Sequence, residues 1–362
     1  MDIITDRRAL HRIPELDRDL PETMAYLENA LSGLGCRVFA PVAGVLCAWF
    51  DFGADRAIAF RSDADALPIE EKSGVPFAST HPGTMHACGH DGHMAILLEL
   101  ARQLSRKETL PHNVLLVFQG AEETTGGARD LCQSGIFEDY HVRAIFGLHL
   151  WPGLEAGEIF SRKAEMMSRS CEVTVDITGR SAHIARAEEG LDALEAGVEF
   201  YRRAMELEKG LPESVFRLLK FGKMESGCVR NALSAHTHME GSLRAFQDEV
   251  FHHLRDGLKA IAAEVEKTTG CTVRMHMNEG YPAVMNPAAL YEAVKKTAAF
   301  RELEKPSMTA EDFSWYQKQL PGMFFFLGAG DVPALHSDNF DFDDSLLMKG
   351  ADFFLKLAED FL

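Results

Sequence analysis

The chain has 362 residues, 46% hydrophobic and 25% charged, which is too long for one ordinary core and typical of a soluble globular protein. Its formal charge of −18, from 37 Lys and Arg against 55 Asp and Glu, argues against nucleic acid and acidic membrane surfaces as partners. The charged start MDIITDRRALHRIPEL has no apolar h-region, the apolar runs are too short to span a bilayer, and seven Cys lack paired spacing; reduced thiols in a cytoplasm are expected.

In chain order, residues 57–61 form a short apolar strand running into Ser62-Asp63-Ala64-Asp65. The segment MHACGHDGH at 85–93 follows, and 93–106 reads as an apolar-faced helix opening after it. Residues 113–119 are a buried strand, 127–134 a helix and 143–150 a third strand. Strands alternating with helices predict an α/β domain with a mainly parallel central sheet, in which chemistry gathers at the carboxyl ends of strands.

From about 168 the pattern changes. Cys171, Val173, Val175 and Ile177 alternate with polar residues as in a half-exposed strand. Leu191, Leu194, Val198, Tyr201 and Met205 mark one face of a helix. Strands over 215–224 and 235–245, a helix over 248–268 and a strand over 271–278 complete β-α-β-β-α-β, the ferredoxin-like unit. Residues 168–278 are therefore read as a small domain inserted between 1–167 and 279–362, with 323–327 a core strand of the first domain.

The chemistry concentrates in a few places. His86, Cys88 and His90 sit two residues apart; in an extended segment Cys88 and His90 point the same way, and a thiolate with an imidazole suits zinc or a neighbouring late transition ion. A surface loop rich in His is the plainer alternative. Glu122 and Glu123 follow a buried strand, so one carboxylate can ligate metal while the other handles protons, or both can belong to a solvated acidic loop. His149 and His336, taken singly, read as hydrogen-bonded core residues as readily as ligands. Asp63 and Asp65 fit carboxylates that orient ligand imidazoles, and equally turn formers at a strand end.

Taken together, RSDADALPI (61–69), MHACGHDGH (85–93), VFQGAEE (117–123), GLHLWP (147–152), MEGSLR (239–244), TAEDF (309–313), FFFLGAG (324–330) and LHS (335–337) resemble the two-metal aminoacylase and hippurate-hydrolase family of amidohydrolases. That family includes N-acetyldiaminopimelate deacetylases and auxin-conjugate hydrolases. The resemblance implies a metal-binding α/β domain with an inserted dimerising lid, and two divalent ions per subunit (Zn, Mn, Co or Ni). By the same resemblance Cys88 is shared between the ions, His90 and His149 complete one shell, and Glu123 and His336 the other. Glu122 is then general base and later general acid, and Asp65 supports the site from behind. His183 would reach the reaction centre of the partner subunit in a homodimer formed through the lid, and Asn231 and Arg244 would hold the substrate carboxylate.

The expected activity is metal-dependent cleavage of the amide bond of an N-acyl amino acid, with N-acetyldiaminopimelate one plausible substrate. The alternatives are a dipeptidase or carboxypeptidase using the same machinery, and a non-catalytic metal-stabilised binding module, against which the retention of Glu122 speaks. Relatives in that family usually carry Pro where this chain has Gly120, and Gly-His-Ala-Ala where it has Ala182-His183-Ile184-Ala185.

Overall fold

A computed structural model describes residues 2–361 and divides them into two compact units. The first comprises everything described up to Met166, Met285–Pro306, and everything from Asp312 on; the second comprises Met167–Val284 with Ser307–Glu311.

The first unit is built on an eight-stranded sheet. Its strands are Arg37–Phe39 (β1), Val45–Phe50 (β2), Ala57–Asp63 (β3), Asn113–Gln119 (β4), Val142–Pro152 (β5), Ile159–Ser161 (β6), Arg301–Glu302 (β13) and Gly322–Gly330 (β14). The spatial order is β1-β2-β4-β3-β5-β14-β6-β13. The central four, β4-β3-β5-β14, run parallel, while β1, β2 and β6 pair antiparallel at the flanks. Every residue of β3 and β4 is buried, as expected of strands covered on both faces, and this explains the apolar runs Ala57–Phe60 and Val114–Phe118.

Register positions the site. β3 stays beside β4 from Ala57↔Asn113 to Asp63↔Gln119, but pairs with β5 only as far as Arg61↔Gly147. β5 then continues beside β14 to Pro152. The parallel strands thus open beyond Arg61, at their carboxyl ends.

The helix expected over 93–106 begins earlier, as His90–Leu104, because Gly89 at φ +83° turns the chain into the helix within the MHACGHDGH segment. Cys88 and His90 therefore converge through a turn and a helix start, and the extended alternation expected for them is absent. The helix is buried along most of its length, against helices Ile3–His11 and Leu347–Asp360.

In the second unit, Arg169–Thr178 (β8), Arg217–Ser226 (β9), His236–Ala245 (β10) and Thr272–Met277 (β11) form an antiparallel sheet in the order β11-β8-β10-β9. Helices Ala193–Lys209 and Asp248–Thr269 make up the β-α-β-β-α-β sequence. Short strands Ala164–Met167 (β7) and Val284–Asn286 (β12) pair as a ribbon. The face expected to bury helix Ala193–Lys209 is a correction. Ala193, Ala196, Phe200 and Ala204 meet the sheet, while Leu194 (46% exposed), Val198 (53%) and Tyr201 (42%) face outward. Three alanines let the helix lie close to the sheet with Phe200 the large side chain buried beside them, and Leu194, Val198 and Tyr201 are left on the outside.

A buried ionic cluster ties the amino-terminal helix to the start of helix His90–Leu104. Arg7 Nε lies 2.9 Å from Asp91 Oδ2 and its Nη1 2.8 Å from Asp344 Oδ1. His11 Nδ1 lies 2.8 Å from Asp91 Oδ2, and its Nε2 3.2 Å from Glu71 Oε1. Burial opposes charge on His11, yet Asp91 and Glu71 outweigh it and push the imidazole up to about 9. A group raised on folding contributes stability that is fully present below its unfolded value near 6.5 and is lost as pH climbs through about 9. The stability difference between the metal-free parent and His11→Gln should therefore shrink across that interval, by up to about 3 kcal/mol. Denaturation at a series of pH values checks this; a difference independent of pH would contradict the charged His11.

Candidate metal centre

Four strand ends and one helix start supply the functional side chains. Asp63 ends β3 and Asp65 follows it; Glu122 and Glu123 lie just past β4; His149 sits near the end of β5; His336 follows β14; His90 opens the helix with Cys88 just before it. All belong to the first unit.

The loop after β4 is held from three sides. Ala121 sits at φ +61°, a strained conformation for a residue with a Cβ, and its N–H donates to Asp17 O at 3.0 Å. Gly120 is pressed so closely that a Cβ there would stand 2.7 Å from Asp17 O. The N–H groups of Glu122 and Glu123 donate to the two oxygens of Asp65, each at 3.1 Å. One buried carboxylate thus aims two consecutive acidic residues.

Three imidazoles crowd together, and their tautomers follow from their partners. His90 Nδ1 lies 2.8 Å from the carbonyl of Asp65, and His149 Nδ1 2.6 Å from that of Leu150. A carbonyl only accepts, so each Nδ1 carries the proton and each Nε2 presents a lone pair. Burial lowers the pKa of both rings and keeps them neutral, the form a metal requires. His149 Nε2 stands 3.3 Å from Cys88 Sγ. His90 Nε2 is buried without a hydrogen-bond partner, 3.6 Å from Asp63 Oδ2 and 3.9 Å from Glu123 Oε1.

His336 Nε2 lies 3.1 Å from Glu123 Oε1. His336 is at φ +65°, fixed by its N–H donating to Ala87 O at 2.8 Å. Donor atoms of Cys88, Glu123 and His336 all lie within 4.8 Å of one another, as do those of His90, Glu122 and Glu123, and those of Asp63, His90, His93 and His149.

This donor set fits divalent cations. A lone pair facing two carboxylates in a water-poor interior is repulsive unless a cation stands between them. Burial, with the charges of Glu123, Glu122 and Asp63, pushes the Cys88 thiol well above its usual range; burial, with Glu123 and Asp63, does the same to Asp65. Thiolate, imidazole and carboxylate together suit zinc and its late first-row neighbours.

Beneath the centre lies a network that sequence reasoning missed. Burial opposes ionisation of Asp63, but the Arg61 cation and the Nδ1–H bond from His93 outweigh it and hold the carboxyl well below its usual range. Arg61, almost fully buried, binds Asp63 Oδ2 at 3.1 Å, Gln119 Oε1 at 2.9 Å and Asp312 Oδ1 at 2.7 Å. Asp312 in turn accepts from Gln119 Nε2 at 2.8 Å and Ala128 N–H at 3.0 Å. An arginine inside an otherwise apolar strand was the available signal, since such a cation needs a buried carboxylate.

The remaining candidates lie in the second unit. His183 and Asn231 are exposed and adjacent, with Ile184 N–H donating to Asn231 O at 3.1 Å. Arg244 is half-buried on β10; it donates to Met308 O at 2.8 Å, and no carboxylate among the described residues pairs with it.

Residues 59–360 match the family described as peptidase family M20/M25/M40. An uncharacterized hydrolase of Staphylococcus haemolyticus is 32% identical over 97% of this chain and 96% of its own. An N-acetyldiaminopimelate deacetylase of Lacticaseibacillus paracasei is 32% identical over 96% of this chain and 95% of its own. Among solved structures, the Bacillus subtilis YXEP protein, described as a dinuclear metal binding peptidase from the M20 family, superposes with a TM-score of 0.84 at 27% identity, covering 98% of this chain and 96% of that one.

Asp65→Asn should free the Glu122 and Glu123 loop, because an amide presents one acceptor where the carboxylate presents two. Amide exchange at Glu122 and Glu123 should accelerate, and the metal-free protein should lose roughly 1–3 kcal/mol. Unchanged exchange would remove Asp65 as the clamp.

Proposed function

The chain belongs to peptidase family M20/M25/M40, and from that premise we propose that it hydrolyses the amide bond of N-acyl amino acids with two divalent metal ions. The observation that carries this reading is the gathering of Cys88, Glu123 and His336 around one point while His149 Nε2 faces the same thiol and His90 Nε2 is buried without a partner. Cys88 would be shared, with His90 and His149 on one ion and Glu123 and His336 on the other. When bound, the ions supply Lewis acidity toward the amide carbonyl and lower the pKa of water.

The rest is carried by the chain. Glu122, adjacent to ligand Glu123 and aimed by Asp65, takes the proton of the attacking water and returns it to the leaving amine. Arg244 supplies a cation without a carboxylate partner among the described residues, suited with Asn231 to the free carboxylate of an amino acid. N-acetyldiaminopimelate is one such substrate, in keeping with the names of two relatives at 32% identity. The apolar face of Leu194, Val198 and Tyr201, continued by exposed Met224 on edge strand β9, supports a homodimer through the lid, with His183 completing the partner's site.

A panel of N-acetyl amino acids, N-benzoyl amino acids and dipeptides tests the substrate class. The N-acyl compounds should release carboxylic acid, and Glu122→Gln should abolish release while retaining the ions. Turnover of dipeptides alone would contradict the reading. Arg244→Ala should weaken substrates with a free carboxylate by roughly 1.5–3 kcal/mol in kcat/KM while sparing amide-capped analogues. Equal losses would remove Arg244 from the carboxylate site.

For assembly, inactive His183→Ala and Glu122→Gln chains, refolded together in equal amounts, should recover about a quarter of parental activity. Half the dimers are mixed, and each mixed dimer has one intact site. No recovery after confirmed exchange would place His183 outside the partner's site.

A further inference from the structure

We infer that His93 is a positioning residue that stitches β3 to β5 behind the metal centre, and that it is not one of the ligands. The inference rests on the reading that Cys88, His90 and His149 hold an ion. By proximity alone His93 belongs with the ligands: it lies three residues beyond His90 on the same helix face, with ring centroids 5.5 Å apart, and its centroid is 4.5 Å from that of His149.

Its nitrogens are both committed. The backbone N–H of Leu150 points at His93 Nε2 across 2.8 Å. An N–H can only donate, so Nε2 gives its lone pair to that bond and has none for a cation. The ring proton is then on Nδ1, which donates to Asp63 Oδ1 at 2.6 Å. His90 and His149 have the same tautomer, but their Nδ1–H groups face backbone carbonyls, His90 Nε2 has no hydrogen-bond partner, and the group facing His149 Nε2 is the Cys88 thiol, itself a ligand in this reading. Three imidazoles with one tautomer therefore divide into two whose lone pairs are open or face a fellow ligand and one whose lone pair is spent on a backbone N–H.

The register shows why the chain needs this bridge. β3 and β5 stop pairing at Arg61↔Gly147, and the Leu150 N–H lies past that last rung. The His93 ring spans the gap: Nε2 receives the β5 donor and Nδ1–H reaches the end of β3. The Leu150 peptide unit that His93 holds directly follows His149, and the Leu150 carbonyl receives the proton of that ring. Asp63 is itself fixed by buried Arg61. Rigidity thus passes from Arg61 through Asp63 and His93 to His149.

The test strips the full-length protein of metal and titrates it with zinc against a chromophoric chelator, reading stoichiometry and affinity without turnover. The parent should bind two ions. His93→Leu should still bind two, with the affinity of one reduced about 10- to 100-fold. His93→Gln, which keeps a donor and an acceptor, should lie closer to the parent, and His149→Ala should lose an ion outright. If both His93 variants bind one ion fewer, as His149→Ala does, His93 is a ligand and the inference falls. A purely structural role would lower the melting temperature of the metal-free variants but leave the folded protein's affinity parental, and that result also overturns it. A parent binding fewer than two ions would sink the underlying reading, whatever the His93 variants do.

Discussion

The centre depends on an excess of buried negative charge and lone pairs with too few protein cations to match it. Asp63, Asp65, Cys88, Glu122 and Glu123 lie in the interior at the strand ends, and Arg61 is the buried cation that holds Asp63. Isolated buried charges of this kind cost several kcal/mol each unless paired. The Arg7 cluster nearby is the instructive contrast. There every carboxylate meets a cation: Arg7, Arg8 and His11 stand against Asp91, Asp341, Asp344 and Glu71, and the result is a brace between helices. Directly paired charge in the one place is structural; charge left without enough protein cations in the other is a cation site.

The fold meets the cost of that imbalance by rigidity. Asp65 accepts from two successive backbone N–H groups, Arg61 binds three acceptors, and the short-range strain at Ala121 and His336 is held by hydrogen bonds to Asp17 and Ala87. Such strain persists only where the surroundings over-determine it. A loose version of the same residues would relax by separating its carboxylates, and the preorganisation that makes the cluster useful would be lost.

Much of this was legible in the sequence because the relevant signals are local. The unbroken apolar run Val114–Phe118 and the alternation around Cys171–Ile177 report burial on two faces and on one. Ligand types cluster in one short motif. Other features depend on context that periodicity does not carry. The helix start at His90 hangs on the left-handed Gly89, and the outward face of helix Ala193–Lys209 is apolar although its own core takes the small residues. His90 and His93 cannot be told apart by spacing; what separates them is a backbone N–H at Leu150, far along the chain.

The central claim is that one thiolate serves two cations, and metal content after removing that thiol tests it most directly. Cys88→Ala, purified beside the parent and analysed for bound zinc, manganese and cobalt, should have lost tight binding of both ions while remaining folded. Chelation of the parent should reproduce its inactivity, with recovery on adding metal back. A Cys88→Ala protein that keeps two tightly bound ions would contradict the account.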